Sequence, residues 1–218
     1  AAELIKYSSN AFLATKITFI NELSNLCEKS GINIEDVALG MGSDSRIGSR
    51  FLRAGPAYGG SCFPKDTRAL IDTSNKLKTS LSVIKTVVNS NEKRSNLLLK
   101  RISFILKNKI KNKKITFLGV TFKANTDDMR ESPSLKMIPY LHKKGAKIRY
   151  YDPTGEKFEF NKLKYVQYKD NIKDACEMSD LIVVHTEWNE FKLIDLKKIV
   201  KKKKFIIYDM RNIYSPEK

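Results

Sequence analysis

In the segment Gly59-Gly60-Ser61-Cys62-Phe63-Pro64-Lys65-Asp66 a cysteine stands between a pair of glycines and a proline-led helix start. Glycine has no Cβ, so Gly59 and Gly60 allow positive φ and a close approach of the backbone to a ligand. Proline suits the first turn of a helix, where its missing N–H costs nothing. Ala69, Leu70, Thr73 and Leu77 follow at helical spacing. Cys62 therefore falls just ahead of a helix N-terminus, with Lys65 beside it. Unpaired helix N–H groups and a neighbouring cation both favour the nucleophilic thiolate. Asp66, four residues on, can handle a water or a proton near the sulfur. A buried thiol in a turn is the plainer reading of most single cysteines, but the glycine pair, the helix start and the flanking charges point to chemistry. Lys6 and Asn10 lie four apart and share a helix face with Leu13 and Ile17. Turned inward among apolar neighbours, they would need partners or a role; a lysine snorkelling at a helix end is the competing explanation.

The elements that must position these residues fall into two halves. Residues 1–29 carry apolar side chains in steps of three and four, and Gly31 is a natural stop. A short helix follows from Asn33, whose next acids, Glu35 and Asp36, suit a first turn. Residues 40–61 read as a long functional loop in which Ile47, Phe51, Leu52 and Tyr58 can bury. The helix after Pro64 comes next, then a helical pattern over 81–110 without a glycine or proline. Beyond it the period changes. Strands are expected at 114–120, 147–151, 165–168, 181–184 and 205–208, with helices at 132–145, 170–176 and 195–200 between them. Thr186-Glu187-Trp188 reads as packing at a helix start. Strands alternating with helices predict a parallel, doubly wound sheet. The expectation is an all-α domain over 1–110 and a Rossmann-like α/β domain over 111–218, with the boundary near 107–113.

This sheet lacks a dinucleotide fingerprint. After its first strand only Gly119 appears where G-x-G-x-x-G would be required. The next strand-end acid, Asp152, comes 33 positions later, against about 20 for a ribose-binding acid. Pyrophosphate of NAD is thus not expected on this sheet, whereas another nucleotide at the carboxyl ends of its strands is.

Composition limits the alternatives. The 218 residues are 41% hydrophobic and hold three cysteines, Cys27, Cys62 and Cys176, none in a C-x-x-C pair. That excludes a disulfide framework or a zinc knuckle and points to a reducing compartment, hence a cytoplasmic protein. Cys27 and Cys176 read as small core residues, and His142 and His185 have no metal-spaced partners, so no metal is expected. No apolar run approaches the roughly 20 residues of a membrane span, and the opening residues read as an amphipathic helix rather than a signal peptide. The net charge is +17, with 17 cations against 9 acids in residues 1–110 and 24 against 15 in residues 111–218. The excess is spread over both halves, with local clusters at residues 107–114 and 197–204 immediately before apolar strand-like runs, where solvated helix ends and loops belong. No nucleic-acid motif accompanies it. Neither a nucleic acid nor a membrane is an expected partner.

Several stretches together resemble the UDP-glucose 6-dehydrogenases of the UDP-glucose/GDP-mannose dehydrogenase family. They are Glu3 to Phe12, Ser45-Arg46-Ile47-Gly48, Phe51 to Asp66, Gly119-Val120-Thr121-Phe122-Lys123, Asp128-Met129-Arg130-Glu131-Ser132-Pro133, and Asp209-Met210-Arg211-Asn212-Ile213-Tyr214. They run the length of the chain in family order. Ala57 and Met210 depart from the pattern, both standing where glycine is common. The resemblance implies a helical dimerisation domain followed by a UDP-sugar domain, with the family's N-terminal NAD-binding domain absent from this chain or supplied separately. It implies that UDP-glucose is oxidised to UDP-glucuronate with two NAD, through a thiohemiacetal and a thioester on Cys62. Lys6 and Asn10 would stabilise the oxyanion, and Asp66 would serve acid–base steps. Arg46, from a neighbouring subunit, would join Phe51, Leu52, Arg53, Ala54, Gly55, Gly59, Lys123 and Arg211 in holding substrate, while Lys65 and Arg130 would face NAD. A GDP-mannose dehydrogenase and a non-catalytic sugar-nucleotide or dimerisation module are the alternatives. The Ser-Arg-Ile-Gly and Phe-Pro-Lys-Asp contexts favour the glucose enzyme over the mannose one.

Overall fold

The computed structural model describes residues 1–214. Four helices precede the first strand: α1 (Ala2–Ser30), α2 (Ile34–Gly42), α3 (Phe63–Lys76) and α4 (Ser82–Ile105). α1 buries Ala11, Ala14, Thr18, Ile20, Asn21 and Cys27. It stops where Gly31 turns left-handed, at φ 72°, and its N–H returns to the Cys27 carbonyl. α2 starts on the Asn33 side chain, which accepts from the Glu35 N–H at 3.0 Å. α3 starts at Cys62 with Pro64 in its first turn, as the sequence predicts.

The remaining elements are β1 (Lys114–Leu118), α5 (Ser134–Lys143), β2 (Lys147–Tyr151), a 3-10 turn at Phe158–Phe160, β3 (Val166–Tyr168), α6 (Ile172–Cys176), β4 (Leu181–Val184), α7 (Asn189–Lys192), α8 (Leu196–Ile199) and β5 (Ile206–Asp209). All strand pairs are parallel, in the order β3-β2-β1-β4-β5. The chain winds outward from β1 in one direction and returns through β4 in the other, the arrangement that opens a crevice at the carboxyl ends of the central strands. β4 is buried on both faces and apolar throughout, and in β1 the one polar residue of the interior, Thr116, donates to the Ala175 carbonyl at 2.7 Å. The 3-10 turn was not anticipated, being too short to show a period, whereas the helix start read at Thr186-Glu187-Trp188 is that of α7. Trp188 is the N-cap of α7.

The chain divides into two compact units, residues 1–94 and 95–218. The division falls inside α4, upstream of the 107–113 boundary read from the sequence. The cause is packing: Leu98, Leu99, Ile102 and Leu106, followed by Ile110, belong to one core with Phe117, Met137, Ile138 and Leu141 of the sheet unit. An unbroken helical pattern cannot reveal that the partner of its apolar face changes midway.

Candidate active site

The first unit builds its site around the loop that leads into α3. Asn21, one of the buried polar residues of α1, accepts the Gly55 N–H on Oδ1 at 2.8 Å. From α4, Arg94 donates Nε to the Gly55 carbonyl at 2.6 Å and Nη1 to the Asn21 carbonyl at 2.8 Å. Asn91, one turn earlier, both accepts the Tyr58 N–H at 2.9 Å and donates to the Tyr58 carbonyl at 3.1 Å. Side chains thus stand in for a strand partner along 55–58, and Leu52, Ala54, Ala57 and Tyr58 bury behind them. Gly60 then turns at φ 80° and delivers the chain to Cys62.

At the head of α3 the structure brings four of the expected residues together: Cys62, Asp66, Asn10 and Lys65. Cys62 is exposed, with Ser61 Oγ 3.7 Å from its sulfur. Asp66 is fully buried, and its N–H closes the first turn on the Cys62 carbonyl at 2.9 Å. Asn10 reaches across from α1 and donates Nδ2 to Asp66 Oδ2 at 2.6 Å. The other oxygen, Oδ1, has the Lys65 ammonium 3.6 Å away and no hydrogen bond among the described residues. A buried carboxylate oxygen with an open lone pair is a place for a water or a substrate hydroxyl.

Other expected residues sit differently. Lys6 does not follow Asn10 inward; it is exposed, as most of the first two turns of α1 are. The Gly55 N–H is taken by Asn21 and its carbonyl accepts from Arg94. Gly59, Leu52 and Ala54 are buried, Arg53 is exposed, and Phe51 is half-exposed at φ 67° with its ring 6.0 Å from that of Phe63. Arg46 is solvent-facing and pairs with Asp44 at 2.6 Å. Lys16 holds the same turn by donating to the Ile47 and Gly48 carbonyls.

In the second unit the turn after β1 is pinned at almost every peptide group. The Gly119 N–H donates to the Tyr151 carbonyl at 2.8 Å. The buried Asp152 carboxylate accepts from Val120 N–H at 2.8 Å and Thr121 N–H at 3.4 Å. Ser132 and Ser134 both donate to the Val120 carbonyl at 2.6 Å, and Thr186 donates to that of Thr121 at 2.8 Å. Gly119 is obligatory there: at φ 74° an added Cβ would lie 2.4 Å from that of Thr186. In a dinucleotide-binding sheet this turn leaves its N–H groups for a pyrophosphate. Here Asp152 occupies that position from within, so these residues do not fit an NAD pyrophosphate.

The pinned turn ends in Lys123, exposed, with its ammonium 5.4 Å from the Phe122 ring centroid. Arg211 joins three loops: Nη2 donates to the Phe122 carbonyl and Nε to that of His185, each at 2.8 Å, and Glu187 lies 3.0 Å from Nε. Burial pulls this guanidinium below its ordinary pKa, while Glu187 and Asp209 oppose the shift. Arg130 is instead held against Asp128 at 2.8 Å and keeps that carboxyl below its usual range. His185, wholly buried, is pushed down to about 3 by desolvation and by Arg211. A cavity of about 370 Å³ beside β3, walled by Tyr150, Phe160 and Tyr168, includes none of the expected site residues.

Asn21, Asn91, Arg94 and Lys16 were missed in the sequence, and a signal for two of them exists. Val87, Asn91, Arg94 and Leu98 step by four, three and four along α4, so two polar residues interrupt an apolar stripe.

With this geometry in view, residues 1–93 match the central domain of the UDP-glucose/GDP-mannose dehydrogenase family, and residues 116–216 match its UDP binding domain. The chain belongs to that family. It is 46% identical to a UDP-glucose 6-dehydrogenase of Rhizobium meliloti over 98% of this chain and 49% of that protein. It is 44% identical to UDP-glucose 6-dehydrogenase YwqF of Bacillus subtilis over 99% of this chain and 49% of that one. A UDP-glucose dehydrogenase structure from Pyrobaculum islandicum superposes with a TM-score of 0.86 at 31% identity, over 96% of this chain and 47% of that one. The chain therefore spans about half the length of these relatives. As a family member it is similar throughout to nucleotide-sugar oxidoreductases.

Three outcomes follow from this geometry. Limited alkylation at neutral pH, mapped by mass spectrometry, should modify the exposed Cys62 before the buried Cys27 and before Cys176, whose thiol burial pushes up to about 12; equal rates would contradict the burial. Arg94→Met should cost on the order of 3–5 kcal/mol in denaturant unfolding, because the Gly55 and Asn21 carbonyls lose their buried donors. For His185 the unfolded chain binds the proton that the folded one refuses between about 6.5 and about 3, so stability falls as pH drops through that window. Between pH 7 and 5 this amounts to roughly 2 kcal/mol, and His185→Asn should remove that part of the slope.

Proposed function

We propose that the chain is the central and UDP-binding part of a UDP-glucose 6-dehydrogenase that converts UDP-glucose to UDP-glucuronate. The observation that carries this reading is 46% identity to such an enzyme over 98% of the chain; the meeting of Asn10 and Asp66 beside Cys62 supports it. In this reading NAD, bound mainly by parts of the whole protein outside this chain, accepts the hydrides of the two oxidations. Lys65 and Arg130 are its proposed contacts here. The Cys62 thiolate adds to the C6 aldehyde and holds it covalently, so that the reactive intermediate is not lost before it becomes a thioester. Lys6 and Asn10 donate to the developing oxyanion. Asp66 takes a proton from the hydrolytic water on Oδ1, the oxygen without a hydrogen bond.

Substrate contacts are assigned to Phe51, Leu52, Arg53, Ala54, Gly59 and Lys123. The proposed role of Gly55 is to brace this loop, and that of Arg211 is to brace the Phe122–Lys123 turn while presenting positive charge to a diphosphate. The proposed domains are a helical dimerisation domain and a Rossmann-like UDP-sugar domain, in a protein of the cytoplasm. Dimerisation is proposed along α1, where Ile5, Phe12, Phe19 and Leu26 recur every seven residues and are each about half or more exposed. A second copy of the helix is the natural cover for a seven-residue seam, and Arg46 would then reach the neighbouring subunit's substrate.

The test uses the full-length protein. UDP-glucose-dependent NAD reduction should fall roughly a thousandfold or more in Cys62→Ser, while Lys123→Ala should raise KM for UDP-glucose about tenfold or more with a smaller change in kcat. Undiminished turnover in Cys62→Ser would remove the covalent step. Preference for GDP-mannose would replace the substrate, and a monomer in light scattering would remove the role given to Arg46.

A further inference from the structure

Lysine clusters that lie far apart in the second half of the sequence are sorted by the sheet. In a parallel sheet every strand enters at one edge and leaves at the other, so the connections alternate between two opposite edges. At the entering edge, residues 107–114 bring five lysines into β1, 143–147 three into β2, 162–165 two into β3 and 201–204 four into β5. The only acids in those connections and in 177–180, which enters β4, are Glu177 and Asp180. Both are committed, Glu177 to Lys201 and Asp180 to Lys113 and Lys202. At the leaving edge, residues 119–133, 152–157, 169–171, 185–190 and 209–214 carry five lysines and arginines against nine acids. Fourteen lysines against two acids at one edge, and an acidic excess at the other, is not what a uniformly lysine-rich composition produces.

Aromatic side chains accompany the lysines at the entering edge. Tyr165 is half exposed, with the Lys164 ammonium 5.6 Å from its ring centroid and the His142 ring 6.0 Å away. Tyr140 has the Lys144 ammonium at 5.7 Å. Phe104 is 82% exposed in the last turn of α4, where its carbonyl accepts the Lys107 N–H. Lysine clusters with interfacial aromatics are the composition of surfaces that rest on anionic lipid headgroups. Duplex nucleic acid fits less well. These segments contain no arginine, the residue that grips phosphate and base edges in two places at once. Among the described residues this edge is a row of short connections in register with strands about 4.8 Å apart.

We propose that the amino-terminal edge of the sheet is a docking surface for an anionic phospholipid bilayer, holding the protein at a membrane face through headgroup contacts. The proposal does not depend on the catalytic reading, because every residue it uses lies outside the candidate active site. Among the described residues no helix is long and apolar enough to cross a membrane, so the contact is peripheral and reversible.

Flotation of the full-length protein with phosphatidylglycerol–phosphatidylcholine vesicles tests it. Binding is expected at low salt, lost at about half-molar salt where screening is short-ranged, and absent on pure phosphatidylcholine. A variant combining Lys109→Glu, Lys111→Glu, Lys147→Glu and Lys203→Glu should bind at least tenfold more weakly, with unchanged circular dichroism and unchanged catalytic constants. The milder set of four Lys→Gln changes should give an intermediate loss, and keeps the test valid if charge reversal unfolds the protein. Equal binding to neutral and anionic vesicles, or undiminished binding by both variants, would overturn the proposal. So would tighter, variant-sensitive binding to a DNA or RNA duplex of comparable charge, which would make the edge a nucleic-acid surface.

Discussion

The buried guanidinium of Arg94 is the constraint on which the cysteine turn depends. The segment before Cys62 has no strand partner, yet its residues are buried and its peptide groups must be satisfied. Arg94 supplies donors in a fixed planar fork to Gly55 and to Asn21, and Asn91 supplies a donor and an acceptor to Tyr58. A lysine could not replace this geometry, because one ammonium cannot serve two separated carbonyls with the same rigidity. The same three side chains come from α1 and α4, so the loop is fixed by the packing of long helices. The Asn10–Asp66 bond adds a second link from α1, to the start of α3. Together these bonds determine where the thiol emerges.

The second unit solves a related problem with a carboxylate. A Rossmann-like turn at the end of the first strand presents N–H groups that favour an anion. Asp152, buried and partnered also by Thr154 and Lys157, supplies that anion permanently. What this costs is the dinucleotide site, and what it provides is a rigid base for Lys123 and for the loops tied by Arg211. The two edges of the same sheet therefore differ in kind. One is a hydrogen-bonded, mildly acidic rim carrying the candidate nucleotide contacts, and the other is a fringe of lysines with few bonds to the rest of the fold.

Much of this was legible before any coordinates. The helical start, the five strands and their alternation with helices follow from apolar periodicity and from Gly31, Asn33, Pro64 and Gly119. The turn and helix start around Cys62 are legible because glycine and proline act over a few residues, and Thr186-Glu187-Trp188 marks the start of α7. The 3-10 turn at Phe158–Phe160 is not, since it does not complete enough turns to show a period. The division of the compact units inside α4 is not legible, because Leu98 and Val87 lie on one continuous stripe of that helix although they serve different cores.

By itself, then, the sequence determined the local events: which segments are helix or strand, that Cys62 stands at the head of a helix, and that the β1 turn lacks glycines for a dinucleotide. Tertiary structure decided everything that joins residues distant in the chain. It decided that Asp66 meets Asn10, that Arg94 holds Gly55, that Asp152 fills the β1 turn, that Lys6 stays exposed, and that lysine clusters far apart in the chain gather on one edge. The physical reason is that a hydrogen bond or a charged surface depends on separation in space, and a linear pattern records only separation along the chain.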